Sequence, residues 1–328
     1  MSLVRRPFVI SSPFSFVIAL FSVYTLTTYA SPQADSTRIT SAANVTLRAM
    51  PSPDAAAVTQ LPLGTEVVET GPAGLEKTWV RVRLADNREG WLQSNMTRPL
   101  DMNWRWEVFD RIIADRLNRK GDAFPAAAEL VGFIERVAPE YTDPDGRGRI
   151  GLARLRALSA ALAAVPFRAN RREPYASWLA ARKAQVTYDE PGGHWMLVSA
   201  AVWDIHAQQS ATTSADDIAW FAVENGLSGE CEGHLPCYLT ARDRLQGEYL
   251  RRHPFGKHAA EAVGVIKATA DQLNVPSITG AAYKFNKQSN CQDVNQAIDA
   301  LSAAVEGTRV GDRGGASSSL ATLSKLCR

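Results

Sequence analysis

The sequence predicts a multidomain β plus all-α protein: a small β barrel followed by a disulfide-fastened, irregular helical array. Three observations predict this fold class. Residues 36–100 alternate apolar and polar side chains with the period of two that half-buried strands require. Residues 101–328 instead repeat apolar side chains every three or four positions, which is the period of amphipathic helices. All four cysteines lie in this second, helical part.

Residues 1–30 have the layout of a secretory signal peptide. Arg5 and Arg6 form a positive start, an apolar run covers residues 14–26, and small residues lead up to Ala30. The apolar run is short for a membrane-spanning helix. We therefore expect cleavage after Ala30, a periplasmic or secreted mature protein, and no membrane span after cleavage. The alternative is a retained membrane anchor.

The charge balance changes when the signal peptide is removed. The full chain has 36 basic and 34 acidic residues, and the first 30 residues contribute Arg5, Arg6 and no acid, so the mature chain would have 34 of each. A nucleic-acid partner requires a positive field that releases counterions from the phosphates. We therefore expect no nucleic-acid partner.

The segment TWVRVRL at residues 78–84 illustrates the β pattern. Its apolar and polar side chains alternate, so that one face is predicted to be buried and the other open: Val80, Val82 and Leu84 face inward, and Trp79, Arg81 and Arg83 face outward. Asp86 and Asn87 supply turn chemistry before the next strand. About five short strands in this region predict a strongly bent barrel.

The stretch from NVTLR to GWL resembles a bacterial SH3 (SH3b) domain. The likeness combines an Asn-Val first strand, a Pro/Ser loop, a Leu-x-x-Gly-Thr turn, a Trp-x-x-Val strand and a closing Gly-Trp, carried by Asn44, Val45, Arg48, Pro51, Gly64, Thr65, Trp79, Val82, Gly90 and Trp91. Members of this family occur mainly in exported proteins. The resemblance implies that the barrel binds peptidoglycan or another envelope peptide.

Arg48, Trp79 and Trp91 are the candidate binding residues of the barrel. An outward-facing tryptophan needs a neighbour or a ligand to cover its apolar ring. The alternative is that Trp79 and Trp91 pack against the helical domain or cap the barrel, which would then act as a spacer.

Helical periodicity continues from residue 101 to the end of the chain and predicts about nine or ten helices. One predicted helix, HWMLVSAAVWDIHAQQ, places His194 and His206 about 18 Å apart by helix rise, too far to share a metal ion. Near residues 238–274, YLRRHPFGKHAAEAV resembles the helix–turn–helix joint of the tetratricopeptide-like repeats of envelope assembly proteins. This resemblance implies a surface for a protein partner.

The four cysteines predict two disulfides, because an exported protein enters an oxidising compartment. In an antiparallel hairpin spanning residues 291–327, the start of the first helix lies beside the end of the second, which pairs Cys291 with Cys327. Cys231 and Cys237 are left for each other. The alternative for the latter pair is a zinc site with His234, although this spacing is uncommon for zinc. We expect no metal and no cofactor.

The motifs of common cell-wall enzymes are missing from the sequence. It contains no H-E-x-x-H zinc motif and no G-x-S-x-G elbow. We therefore predict a non-catalytic binding or scaffold protein. The alternative is a helical cell-wall hydrolase targeted by the barrel, for which Glu224 or Glu230 would supply the carboxylate.

Overall fold

Seven antiparallel strands open the fold in the computed structural model of the protein, which describes residues 36–71, 78–119, 121–274 and 285–328. The predicted signal peptide lies outside the described residues. The strands are β1 (Ser36–Thr40), β2 (Val45–Arg48), β3 (Ala57–Leu61), β4 (Glu66–Glu69), β5 (Trp79–Arg83), β6 (Glu89–Gln93) and β7 (Thr97–Pro99). Their order in the sheet is β3-β2-β6-β5-β4-β1-β7.

The predicted alternation in β5 is confirmed. Val80 and Val82 are buried, as is Leu84 just after the strand, whereas Arg81 is exposed. The inward side chains pack with Leu47 and Leu92 into a core that belongs to the barrel alone. The sheet therefore has an apolar inner side and an open outer side.

The barrel joins the helices through the turn between β3 and β4. Leu63 is fully buried in a core shared with helical residues, including Phe133. Its backbone N–H donates to Glu129 Oε1, and its carbonyl accepts a hydrogen bond of 2.7 Å from Arg136 Nη2. The next residue, Gly64, has φ +80° and lies against the Phe133 ring. Asp35–Arg328 accordingly forms one compact unit.

The described part of the helical region contains eleven α-helical segments. They are α1 (Arg105–Leu117), α2 (Phe124–Val137), α3 (Pro144–Ala163), α4 (Tyr175–Ala180), α5 (Ser199–Gln208), α6 (Ala215–Asn225), α7 (Leu235–Arg242), α8 (Glu248–Arg252), α9 (Ala259–Leu273), α10 (Lys287–Glu306) and α11 (Arg313–Leu323). A π-helical turn, Asp243–Gly247, joins α7 directly to α8. Among the described helices, none is both long and apolar enough to cross a membrane.

The helices pack around two apolar cores that meet at α6. Ile218 and Ala222 face the first core, which α1 to α5 also supply, while Ala219 and Val223 face the second core, built from α7 to α11. A helix with a single apolar stripe packs against one core. Because α6 packs against two, it is apolar on two sides.

One sequence prediction in this region is wrong. Residues 194–197 are not helical: β8 (Val186–Asp189) and β9 (His194–Leu197) form an antiparallel hairpin, and α5 begins only at Ser199. Gly193, with φ +67°, makes the tight reversal between the strands. His194 and His206 therefore do not share a helix. Short apolar runs have no periodicity that distinguishes a strand from a helix, which explains the error.

Near residues 238–274, where the sequence predicts a helix pair, the structure has α7, the π turn, α8 and α9. A corner at His253–His258 reverses the chain, and the predicted inward residues of α9 are all buried: Val263, Ile266, Ala270 and Leu273. The π turn is a feature that the periodicity did not predict. The likeness to tetratricopeptide-like repeats remains a prediction.

Candidate functional site

Trp91 lies on the outer face of the barrel, since its neighbours Gly90 and Leu92 are buried. It lies on β6, the strand between β2 and β5, and its register partners are Arg48 on β2 and Arg81 on β5. Because side chains at paired positions point to the same side of a sheet, the indole lies between two arginines. We call the surface formed by Arg48, Trp79, Arg81 and Trp91 the tryptophan–arginine face.

Trp79 belongs to the same surface through the strand period. It precedes Arg81 by two residues on β5 and pairs with Gln93, which follows Trp91 by two residues on β6. The two indoles are therefore diagonal neighbours, a relationship within reach of aromatic side chains. Both are half-buried. The structure thus brings the three sequence-predicted binding residues together and adds Arg81 to them.

A glycine sets the close approach of the strands beneath this face. A Cβ atom at Gly90, the residue before Trp91, would lie 2.7 Å from the carbonyl oxygen of Arg48 and 2.8 Å from Leu47 Cγ. Any side chain at this position would push β2 away from β6. The smallest residue therefore allows Arg48 and Trp91 to be direct neighbours.

The two arginines of the face differ in their partners. Arg48 Nη1 donates to the backbone carbonyl of Ala55 at 2.6 Å, which holds the guanidinium in place without neutralising it. Within the described residues, no carboxylate lies at ion-pair distance from Arg48. Arg81 Nη2 lies 2.8 Å from Glu89 Oε2 in an exposed ion pair. On this face the positive charge of Arg48 is held in place without a counter-ion among the described residues, whereas that of Arg81 is paired with Glu89.

The helices contact the barrel elsewhere. Their contacts use the β3–β4 turn around Leu63, the ion pair of Arg105 Nη2 with Glu66 Oε1 at 2.7 Å, and the ion pair between Arg98 and Asp115. Neither tryptophan of the face belongs to an apolar core formed by the described residues.

Both predicted disulfides are present. The Cα atoms are 5.4 Å apart in the Cys231–Cys237 pair and 5.4 Å apart in the Cys291–Cys327 pair. The second bond closes the predicted C-terminal hairpin of α10 and α11. The first occupies both sulfur atoms that the zinc alternative with His234 would need.

The two carboxylates named for the hydrolase alternative lie in different surroundings. Glu224 is exposed at the end of α6, whereas Glu230 lines a cleft of about 740 Å³ beside the Cys231–Cys237 loop. Asp293, on α10, lines the same cleft. Sequence reasoning missed this cleft, because residues from three separate segments form it.

The fold places a small antiparallel barrel with aromatic and basic side chains on its outer face in the class of compact all-β domains. Residues 43–97 match the family model described as Bacterial SH3 domain. The match includes Arg48, Trp79, Arg81 and Trp91. No curated protein matches the chain, and no solved structure matches it.

Proposed function

We propose that this protein is an exported, non-catalytic binding protein of the bacterial cell envelope. Its barrel would bind peptidoglycan or an envelope peptide, and its helical region would contact a protein partner. The observation that carries the proposal is the position of Trp91 between Arg48 and Arg81. The bacterial SH3 match supports it, because such domains typically bind cell-wall material.

The chemistry of the tryptophan–arginine face suits an envelope ligand. The indoles of Trp79 and Trp91 offer flat apolar surfaces for stacking on sugar rings or peptide backbones. Arg48 offers planar N–H donors to a carboxylate, and its bond to Ala55 reduces the entropy lost on binding. Stacking area and a fixed cation together suit a ligand that is partly apolar and partly anionic.

Export is supported by the chemistry of the cysteines. All four form disulfides, and such bonds persist mainly in oxidising compartments such as the periplasm or the extracellular space. The signal-peptide pattern at residues 1–30 points the same way. We therefore propose a periplasmic or secreted protein.

The proposal is tested by co-sedimentation of the mature chain with intact peptidoglycan sacculi. The full mature chain is used, because an isolated barrel would expose Leu63 and lose its core partners. We expect the wild type to pellet with the sacculi. Trp91→Ala and Arg48→Gln should each weaken binding by about tenfold or more, which is the usual effect of losing a central aromatic or arginine contact.

Matched controls remove similar side chains from the helical region, outside the tryptophan–arginine face. Phe167 is an exposed aromatic residue and Arg111 an exposed arginine of α1, so Phe167→Ala and Arg111→Gln should bind sacculi like the wild type. If the wild type stays in the supernatant, the proposed ligand is wrong. If all four variants bind equally, the tryptophan–arginine face is not the site.

A helical cell-wall hydrolase is the second candidate, favoured by Glu230 and Asp293 lining one cleft. Glycosidases use paired carboxylates as acid and base or nucleophile. The turbidity of the same sacculus suspension tests this candidate. Clearing by the wild type and its loss in Glu230→Gln would support the hydrolase, whereas constant turbidity with the wild type would reject it.

A further inference from the structure

The cleft beside the Cys231–Cys237 loop has walls that the fold holds in place. The disulfide closes the loop, the Gly229 N–H donates to Asp189 Oδ1 at 2.7 Å, and His234 Nε2 lies 3.3 Å from Asn290 Nδ2 on α10. The opposite wall is α7 with its π turn. The volume of about 740 Å³ lies in the range of small-molecule binding sites.

Arg242, at the end of α7, lines this cleft with a positive charge that lacks a counter-ion. It is half-buried, its Nε donates to Thr269 Oγ1 at 3.0 Å, and burial lowers the pKa of its guanidinium. Across the described part of the chain, no carboxylate lies at ion-pair distance from it. A partly desolvated guanidinium without an anion is costly, and a ligand carboxylate would supply the missing charge through paired N–H···O bonds.

The π turn begins directly after Arg242. Such turns are rare and often occur at functional sites, because the extra residue redirects side chains that a regular helix would place elsewhere. Here the turn separates the cleft-lining end of α7 from α8. It is a second, independent sign that this part of the helix has a role beyond packing.

The cleft also carries unpaired negative charge. Glu230 and Asp293 line it, both are exposed, and no described lysine or arginine lies at ion-pair distance from either. Asp243 differs, because its Oδ1 lies 2.7 Å from Arg251 Nη1. The lining also includes small apolar side chains, such as Ala241 and Ala297, and larger ones, such as Tyr238 and Leu245. Arg244, which is exposed, also lines the cleft, so the site offers two arginines and two carboxylates without ion-pair partners among the described residues.

We propose that this cleft binds an amino acid or short peptide with free termini. The ligand carboxylate would pair with Arg242, and its ammonium group would face Glu230 and Asp293. This site is separate from the tryptophan–arginine face, and it adds a second ligand to the proposed function.

Isothermal titration of the full mature chain tests the site with trialanine, alanine, and trialanine blocked at one end. We expect trialanine to bind, and C-terminal amidation to weaken binding about tenfold or more, as the loss of a charge-assisted bond predicts. N-terminal acetylation should also weaken it. Comparison with free alanine separates an amino-acid site from a peptide site.

The variant Arg242→Gln allows a double-mutant cycle, in which the arginine and the peptide carboxylate are removed separately and together. In this variant trialanine should bind more weakly than to the wild type, and amidation should weaken binding less than it does in the wild type, because the half-buried arginine that pairs with the carboxylate is gone. Arg309→Gln removes an exposed arginine outside the cleft and should bind trialanine like the wild type. Absence of binding to the wild type, or equal binding of the free and amidated peptides, would overturn the proposal.

If Arg242→Gln fails to fold, the end-blocked peptides still test the proposal, because they are measured on the wild type. The probes also differ from the sacculus assay, so a protein that pellets with sacculi and ignores trialanine disproves this inference alone. A protein that binds trialanine and not sacculi disproves the role of the barrel alone.

Discussion

His206 and His253 lie with their Nε2 atoms 2.7 Å apart, although 47 residues separate them in the chain. His206 is on α5 and is buried at 3 % exposure, while His253 stands at the corner after α8. At this distance one Nε2–H donates to the other nitrogen, which requires at least one neutral ring. Arg252 Nη1 lies 3.4 Å from His206 Nδ1 and adds a positive charge to the cluster.

The histidine pair predicts a loss of stability at acid pH. Burial, followed by repulsion from His253 and Arg252 and opposed by Glu248, lowers the pKa of His206 from 6.5 to about 4. Burial likewise lowers the pKa of His253, although the negative charge of Asp216 partly raises it. Between pH 6.5 and about 4, His206 is protonated in the unfolded chain but still neutral in the folded one. The stability that the neutral ring contributes is therefore fully present above pH 6.5 and is lost as the pH falls to about 4.

We expect His206→Gln to reduce this pH dependence. In the wild type, protonation of His206 lowers the free energy of unfolding by at most about 3 kcal/mol. Glutamine does not titrate, so the variant lacks this loss. Urea unfolding between pH 7 and pH 4 measures the difference between the two proteins. If that difference is the same at both ends of the range, the histidine pair does not control acid stability.

The two disulfides should contribute unequally to the free energy of unfolding. Cys291–Cys327 spans 36 residues and Cys231–Cys237 spans six. In the chain-entropy model the larger loop is worth about 4 kcal/mol and the smaller about 2 kcal/mol. We expect paired Cys→Ser variants to follow this order in chemical denaturation. An inverse order would show that the small loop stabilises through its contacts, not through chain entropy.

The contact between Gly64 and Phe133 predicts a sensitive joint between the barrel and α2. Gly64→Ala places a Cβ against the aromatic ring at a φ of +80°, so we expect a loss of more than about 2 kcal/mol. Gly226→Ala is the matched control, because Gly226 has a similar φ of +75° and a Cβ there meets nothing within 4 Å. Thermal unfolding of the two variants measures the contrast, and equal melting temperatures would contradict the predicted joint.

Charge changes beside Trp91 should alter ligand binding in opposite directions. Glu89→Gln releases Arg81 from its ion pair and should strengthen binding of a carboxylate-bearing wall ligand, whereas Arg81→Gln should weaken it. Both partners are exposed, so the stability should change little. Sedimentation with sacculi at low and high salt measures both effects. Variants that bind alike at low salt would exclude an electrostatic role for Arg81.

Local sequence patterns predicted the fold correctly where the structure of a segment depends on residues close together in the chain. The alternation around Val80 and Val82 predicted which side of β5 is buried, because strand geometry turns successive side chains to opposite faces. The helical repeats after Cys291 and the short loop that follows them predicted the pairing with Cys327, because a hairpin brings its two ends together. The hairpin at residues 186–197 escaped prediction because its strands are too short to show a period.

Tertiary structure decided every relationship between segments that are distant along the chain. Arg48 pairs with Trp91, 43 residues later in the chain, because β2 lies beside β6, and no local pattern encodes that pairing. The cleft around Arg242 requires α7, α10 and the disulfide loop to converge, and the His206–His253 pair requires two helices to dock. Residue types and periods determine which face of an element is buried, whereas the docking of those faces determines which polar groups share a site.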